Sequence, residues 1–198
     1  MGKITSMTGD ESVYELPPAP LRPAGHGVRL REWTVQDSAA MVALFDDPDI
    51  ARFTPLRSPF DLEAAHDYLA KAFDHRAEGR RVQLAITVDG RTPLGEVVLF
   101  PNPDAPREAE LGYTVGPAHR GRGLAARAVR VLAEYALREL GVRRVILRIE
   151  PENAPSNAVA RAAGFVVAPD PPLHREIRGR PVTLLTWERY PQDEAPRG

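Results

Sequence analysis

The sequence predicts a single mixed α/β (α+β) domain built around one sheet, with about seven strands and about four helices. Three observations carry this reading. Apolar runs with strand periodicity are interleaved with apolar stripes at helical spacing, in the order β-α-α-β-β-β-α-β-α-β-β. A length of 198 residues and a hydrophobic share of 43% suit one compact core. No internal repeat and no second domain boundary interrupts residues 27–190.

The elements follow from local pattern. Residues 1–26 end in "LPPAPLRPAGHG", too rich in proline and glycine for a packed element; they read as a flexible arm that can lie across the domain surface. "GVRLREWTV" alternates Val28, Leu30 and Trp33 with charged residues and reads as the first strand. Thr34 and Asp37 form a helix-start pair, and Met41, Leu44 and Phe45 then recur at helical spacing. The next helix opens at Ser58 and Pro59, carries Leu62, Ala65, Tyr68, Leu69 and Phe73 as its buried stripe, and stops at Gly79. "RVQLAITVDG" and "PLGEVVLF" are strands joined by a turn at "DGRT", and "AELGYTV" (109–115) is the next strand. A long helix follows, with Leu124, Ala128, Val131, Leu132, Tyr135 and Leu140 on its apolar face and Gly141 as its stop. "VRRVILRIE" is a strand ended by Pro151, and "APSNAVARAAGF" a short helix ended by Gly164. "FVVA" and "PVTLLTWERY" are the last strands, "PDPPLHREIRGRP" (169–181) is a loop before the final one, and residues 191–198 form a disordered tail.

Composition narrows the function. A net charge of −1 gives no basic field for nucleic acid, and no aromatic stacking platform is visible. Cysteine is absent, which excludes disulfides, thiolate metal sites and cysteine nucleophiles. Five histidines without ligand spacing predict no metal site. No apolar run reaches the ~18 residues of a membrane span. The N-terminus lacks the apolar core of a secretory signal, so the cytoplasm is the default compartment.

The stretch that calls for chemistry is "HRGRGLAARA", residues 119–128. A strand runs into a tight loop and then into a helix whose first N–H groups have no partner within the helix. The helix dipole adds partial positive charge there. Gly121 and Gly123 let an anion approach the amides, and Arg120, Arg122 and Arg127 add charge suited to a polyphosphate. A glycine-arginine loop is also compatible with an ordinary solvated turn. It is neither a Walker loop, since no Gly-Lys-Ser/Thr follows, nor a dinucleotide fingerprint, since the third glycine is missing.

Arg120-x-x-Gly123-x-Ala125 resembles the acyl-CoA pyrophosphate loop, Gln/Arg-x-x-Gly-x-Gly/Ala, of the GCN5-related N-acetyltransferases (GNAT superfamily). Asn153-Ala-Pro-Ser156-Asn157, with Ala163-Gly164-Phe165 beyond it, resembles that family's second cofactor motif in the serine-containing RimJ/RimL-like branch. The resemblance covers residues 27 to about 190 and implies a mostly antiparallel sheet flanked by helices.

It also implies the roles of residues. The strand before the loop and the strand after the long helix splay apart, and the pantetheine arm of acetyl-CoA lies between them, against the backbone of Val115. The amides of Arg120, Gly121, Arg122, Gly123, Leu124 and Ala125 hold the pyrophosphate. Asn153 and Asn157 contact the pantetheine or order the helix beside it. Glu110 is the candidate base, acting through water, with Glu108 as substitute; the plainer reading of Glu110 is a solvated strand residue. Ser156 is the candidate hydrogen-bond donor to the sulfur, and its plainer reading is a helix-start residue. Many members carry a tyrosine four residues beyond this serine; here that position is Ala160, a departure that keeps a non-catalytic CoA-binding sensor open. Phe53 and Phe60 flank the segment that borders the acceptor pocket. His119, Trp33 and Trp187 read as loop or packing residues.

The implied activity is acetyl transfer from acetyl-CoA to a primary amine, on a protein N-terminus or a small molecule, by direct attack in a ternary complex. Another donor such as succinyl-CoA would use the same loop. No metal, nucleic acid or membrane is implied. Homodimers are common among members, and no stretch here marks an interface by pattern.

Overall fold

The computed structural model describes residues 14–102 and 105–191. Residues 1–13 of the expected arm and 192–198 of the expected tail lie outside these.

Among the described residues nine strands, numbered β1 to β9 along the chain, form the sheet in the order β1-β2-β3-β4-β5-β6-β9-β7, with β8 paired to β9 beyond this path. The first strands are β1 (Ala24–Gly25) and β2 (Val28–Glu32). A 3-10 turn (Val35–Asp37), α1 (Ser38–Phe45), α2 (Pro48–Phe53) and α3 (Leu62–Ala77) then cross to β3 (Val82–Thr87). β4 (Gly95–Pro101) and β5 (Glu108–Val115) continue the meander. A second 3-10 turn (Pro117–His119) leads into α4 (Leu124–Glu139), which returns the chain to β6 (Arg144–Ile149). α5 (Ala154–Ala162), β7 (Val166–Val167), β8 (Leu173–Ile177) and β9 (Arg180–Arg189) complete the fold. Every pairing is antiparallel except β5 with β6, the two strands that α4 connects. A helical crossover is what a parallel pair requires.

Each sheet face has its own core. Val28, Leu30, Leu84, Ile86, Leu99 and Leu111 pack beneath α4 with Leu124, Ala128, Val131 and Leu132. On the other face Trp33, Met41, Phe45, Phe60, Leu69 and Ala85 form an aromatic-rich cluster under α1 and α3. β3 lies between the two, which is why all six of its residues are buried. The predicted stripe of α4 matches its buried side, with Tyr135 and Leu140 at the margin. That of α3 is narrower than predicted: Leu62 and Phe73 are exposed.

Local chemistry explains several boundaries. α3 starts at Leu62 rather than Pro59, because the Asp61 carboxylate accepts from the Ala64 amide at 2.8 Å and caps it. Gly79 and Gly141 follow their helices with φ of +67° and +68°, left-handed geometry that glycine adopts without strain. In the β3–β4 turn, Asp89 Oδ1 accepts from the Arg91 and Thr92 amides, each at 2.8 Å, and these bonds lower its pKa to about 2. Three elements were not expected: β1, α2 and β8. α2 has the Asp47 side chain on the Ile50 amide at 3.1 Å and Pro48 in its first turn. β8 occupies part of the predicted loop 169–181 and turns back through Arg178 and Gly179, at φ +51° and +78°, into β9. The described part of the arm is bound to the domain: Leu21 is buried, and the Pro17 carbonyl accepts from Arg76 Nη2 at 2.6 Å.

Candidate active site

The site begins where β5 and β6 part. They pair only at Glu108 with Arg144, Ala109 with Val145 and Glu110 with Ile146. β5 then runs on to Val115 and β6 to Ile149 without further bonds between them. Their divergence opens a cavity of about 540 Å³. Its walls include Tyr113, Thr114 and Val115 from β5, Ile50 and Phe53 from α2, and Asn153, Ser156 and Val159 from the start of α5 and beyond. Its floor is the loop of Arg120, Gly121 and Gly123 with Leu124 and Ala125 at the head of α4.

That floor is built for an anion. Gly123 stands at the N-cap position of α4 with φ +67°, and no side chain caps the helix. The Arg127 amide donates to the Gly123 carbonyl at 3.1 Å, so the amides of Leu124, Ala125 and Ala126 precede the first helical donor and have no acceptor within the helix. A Cβ placed on Gly121 or Gly123 would meet nothing within 4 Å. The open space above the loop is therefore what a phosphate needs to reach the amides. Among the described residues no cluster of three His, Asp or Glu side chains could hold a metal ion.

The loop arginines divide their work. Arg120 turns to α2, where Nη2 donates to Asp47 at 2.6 Å and Nη1 to Asp49 at 3.2 Å. Its Nε also reaches the Val115 carbonyl at 3.3 Å. Arg127 braces the loop through the carbonyls of Arg122, Gly123, His26 and Gly27. The Arg122 side chain is exposed and has no partner among the described residues.

The start of α5 is held by two asparagines. Asn153 caps the helix by accepting from the Ser156 amide at 3.1 Å and also lines the cavity. Asn157 is buried away from the cavity, its amide aimed at the carbonyls of Glu150, Pro151 and Asn153. Ser156 lines the cavity, and its carbonyl accepts from the Tyr113 hydroxyl at 3.2 Å. Burial pushes the Tyr113 phenol up to about 12.

Glu110 sits at the apex of the fork, half-buried, on the sheet face away from α4. It does not line the cavity. Burial raises its pKa, opposed by Arg175 and then Arg148. Glu108 is engaged otherwise: Arg144 Nη1 and Asn102 Nδ2 both donate to it at 2.8 Å. Of the two aromatic candidates, Phe53 lines the cavity beneath the Arg52 guanidinium. Phe60 is 2% exposed and packs edge-on against Phe45 at 5.4 Å, in the core rather than at the cavity. Sequence reading missed Ile50, Tyr113 and Thr114 as walls. For the strand residues the signal was available, since alternation past the last paired position sets both faces of the fork.

A fork of parallel strands over an uncapped helix start defines a class, the N-acetyltransferase domain. The chain belongs to the GNAT acetyltransferase family, whose acetyltransferase (GNAT) domain model matches residues 28–166. It is 27% identical over 137 residues to an uncharacterized N-acetyltransferase, p20, of Bacillus licheniformis, spanning 69% of this chain and 77% of that one. It is 26% identical over 145 residues to the spermidine N(1)-acetyltransferase of Escherichia coli K12, spanning 73% and 76%. Among solved structures, RimJ of Mycobacterium smegmatis in complex with CoA-disulfide superposes with a TM-score of 0.73 at 25% identity, covering 91% of this chain and 89% of that one.

Proposed function

We propose that this N-acetyltransferase moves the acetyl group of acetyl-CoA to a primary amine by direct attack, both substrates being bound at the fork. The observation that carries the reading is the uncapped head of α4 beneath open space at Gly121 and Gly123. Its amides would hold the pyrophosphate, and the edge of β5 at Tyr113–Val115, freed from β6, would face the pantetheine. That the 25%-identical RimJ of Mycobacterium smegmatis is solved in complex with CoA-disulfide supports a coenzyme A donor.

This chain's groups then supply three services. The fork walls hold donor and amine in line, and such positioning is worth roughly 7–11 kcal/mol of barrier. Glu110, kept above the ordinary carboxylate range by burial, takes the amine proton through water at the apex. The Ser156 hydroxyl, at the cavity wall, donates a hydrogen bond to the departing sulfur. The N–C bond forms as the C–S bond breaks, and the amine proton leaves toward Glu110.

The test has two parts. Titration calorimetry should show CoA binding to the folded protein, and a thiol-release assay should show turnover of acetyl-CoA with members of an amine panel. Failure of binding in well-folded protein overturns the donor site; binding without turnover on peptides, polyamines, aminoglycosides and amino acids overturns the enzymatic reading.

A further inference from the structure

The face of the sheet that carries Glu110 also carries two arginines. Strand alternation and register place them. Glu110 pairs with Ile146, and Arg148 lies two residues further along β6, on the same side. Arg148 pairs with Thr186 of β9, and Val182, four residues earlier on β9, pairs with Arg175 of β8. Arg175, Arg148 and Glu110 thus lie on one face, and both arginines act electrostatically on the Glu110 carboxylate.

These groups are not used up by the fold. Among the described residues Glu110 makes no hydrogen bond or ion pair, and Arg175 is exposed with no ion pair. Arg148 spends one nitrogen, Nη1, on the Thr186 hydroxyl at 2.6 Å, while its Nε is buried with no acceptor. A buried donor without an acceptor is costly unless something arrives to take it. Nearby arginines are, by contrast, committed. Arg180 clamps Glu150 with two bonds, at 2.6 and 2.7 Å, and Arg178 donates to the Ala51 carbonyl at 3.3 Å. The Arg178 bond ties the β8–β9 turn to α2 and the Arg180 bonds tie it to the end of β6, and together they fix the rim of this face. A polycation brought to this rim would meet two uncommitted positive charges against a single uncommitted carboxylate.

We infer that the acceptor is a primary amine with a carboxylate within a few ångströms of it, the amine directed to Glu110 and the carboxylate to Arg148 and Arg175. This rests on the acetyltransferase reading above and narrows its substrate class. Two sources share that chemistry: a free amino acid, through its α-carboxylate, and a peptide N-terminus followed by an acidic residue. Guanidinium recognition of a carboxylate is planar and two-pronged, and on Arg148 neither Nε nor Nη2 has an acceptor among the described residues.

The experiment uses matched pairs with acetyl-CoA and the full chain. An amino acid is compared with its primary amide, a dipeptide with an acidic second residue with its glutamine counterpart, and spermidine is included. The expected result is a kcat/KM at least about ten-fold higher for the acidic member of one pair. The pair that shows it identifies the source. Arg148→Gln should bring that ratio toward one by raising KM. Arg175→Glu, at an exposed position that the fold tolerates, should do the same and keeps the test intact if the Arg148 variant does not fold. Equal turnover of both members, a preference for spermidine, or a ratio untouched by Arg175→Glu overturns the inference and leaves the acetyltransferase reading standing. CoA binding without turnover of any amine overturns both.

Discussion

Arg120 donates to Asp47 at 2.6 Å, so a cation of the loop at the head of α4 is paired with the carboxylate that caps α2 across the cavity. Burial of Asp47 would by itself raise its pKa, and the bond from Arg120 with the Ile50 amide more than reverses this, leaving it lowered. The loop at the head of α4 is therefore tied to α2 by this ion pair and by a second one, from Arg120 to Asp49 at 3.2 Å.

Arg120→Ala should then be felt more at the acceptor than at the donor. The guanidinium is already neutralised by Asp47 and Asp49, so its loss removes little net attraction for a phosphate. We expect CoA affinity within about three-fold of the parent and acceptor KM raised several-fold, since α2 carries Ile50 and Phe53. Asp47→Ala removes the cap as well and should cost about 1 kcal/mol of stability. Calorimetry of CoA binding alongside steady-state kinetics distinguishes these; a ten-fold loss of CoA affinity in Arg120→Ala would contradict the assignment.

Gly123→Ala separates an anion cradle from a mere turn. Its φ of +67° is left-handed, so alanine costs roughly 1–2 kcal/mol of backbone strain. No atom lies within 4 Å of the added carbon, so no clash adds to that cost. The same carbon occupies the approach to the α4 amides. Chemical denaturation should show only the modest loss, while CoA affinity falls by about ten-fold or more. Affinity unchanged within error would mean that the phosphate lies elsewhere.

Glu110→Gln should lower kcat by about 10²–10⁴ if the carboxylate takes the amine proton. The base works deprotonated, so kcat/KM rises with pH through its pKa. Burial raises that pKa, and the acid limb should therefore lie above the ordinary carboxylate range. Arg175→Gln removes a charge that opposes the rise, so it should move the limb to higher pH. A pH–rate series on the three proteins checks both statements, and an acid limb that persists in Glu110→Gln assigns it to another group. Ser156→Ala should lower kcat by about ten-fold, with CoA binding retained.

Much of the fold could be read from the chain because long elements average out local noise. α4 carries a broad apolar stripe and ends at a glycine, and β3 sets Val82, Leu84 and Ile86 at alternate positions. The loop was legible because its message is chemical: two glycines and three arginines at a helix start. What escaped depended on distant partners. α2 has six residues, too few for a period, although Asp47 and Pro48 mark its start. β8 presents charged residues along an edge and reads as loop. Phe60 stands alone among prolines, and only packing against Phe45 and Tyr68 makes it core. Which carboxylates would claim Arg120 cannot be seen in a sequence where they lie more than seventy residues away. The uncommitted Arg148 likewise emerges only once its register with Thr186 is known.

Glu96 takes no part in the proposed chemistry. It is fully buried on β4, where the Trp33 indole N–H donates to it at 2.8 Å and the Tyr68 hydroxyl at 2.6 Å. Desolvation outweighs these two donors and raises its pKa from 4.5 to about 7. In the unfolded chain the group loses its proton near the ordinary value, whereas the folded protein still holds it. Between these two pKa values the native state binds more protons than the unfolded state, so stability falls as pH rises through this window. The fall amounts to about 3 kcal/mol at most, from about 1.4 kcal/mol per pKa unit. Glu96→Gln carries no charge and keeps one acceptor for Trp33, while the Tyr68 hydroxyl can rotate to accept from the new amide. The variant should lose the Glu96 part of the pH slope and equal or exceed the parent's stability above pH 7. Glu96→Ala should instead destabilise by about 2–4 kcal/mol, because it leaves two buried donors unpaired beside a cavity. Urea denaturation of the three proteins at intervals from pH 5 to 8 measures this. A slope in Glu96→Gln as steep as the parent's would show that Glu96 is ionised throughout that range in the folded protein.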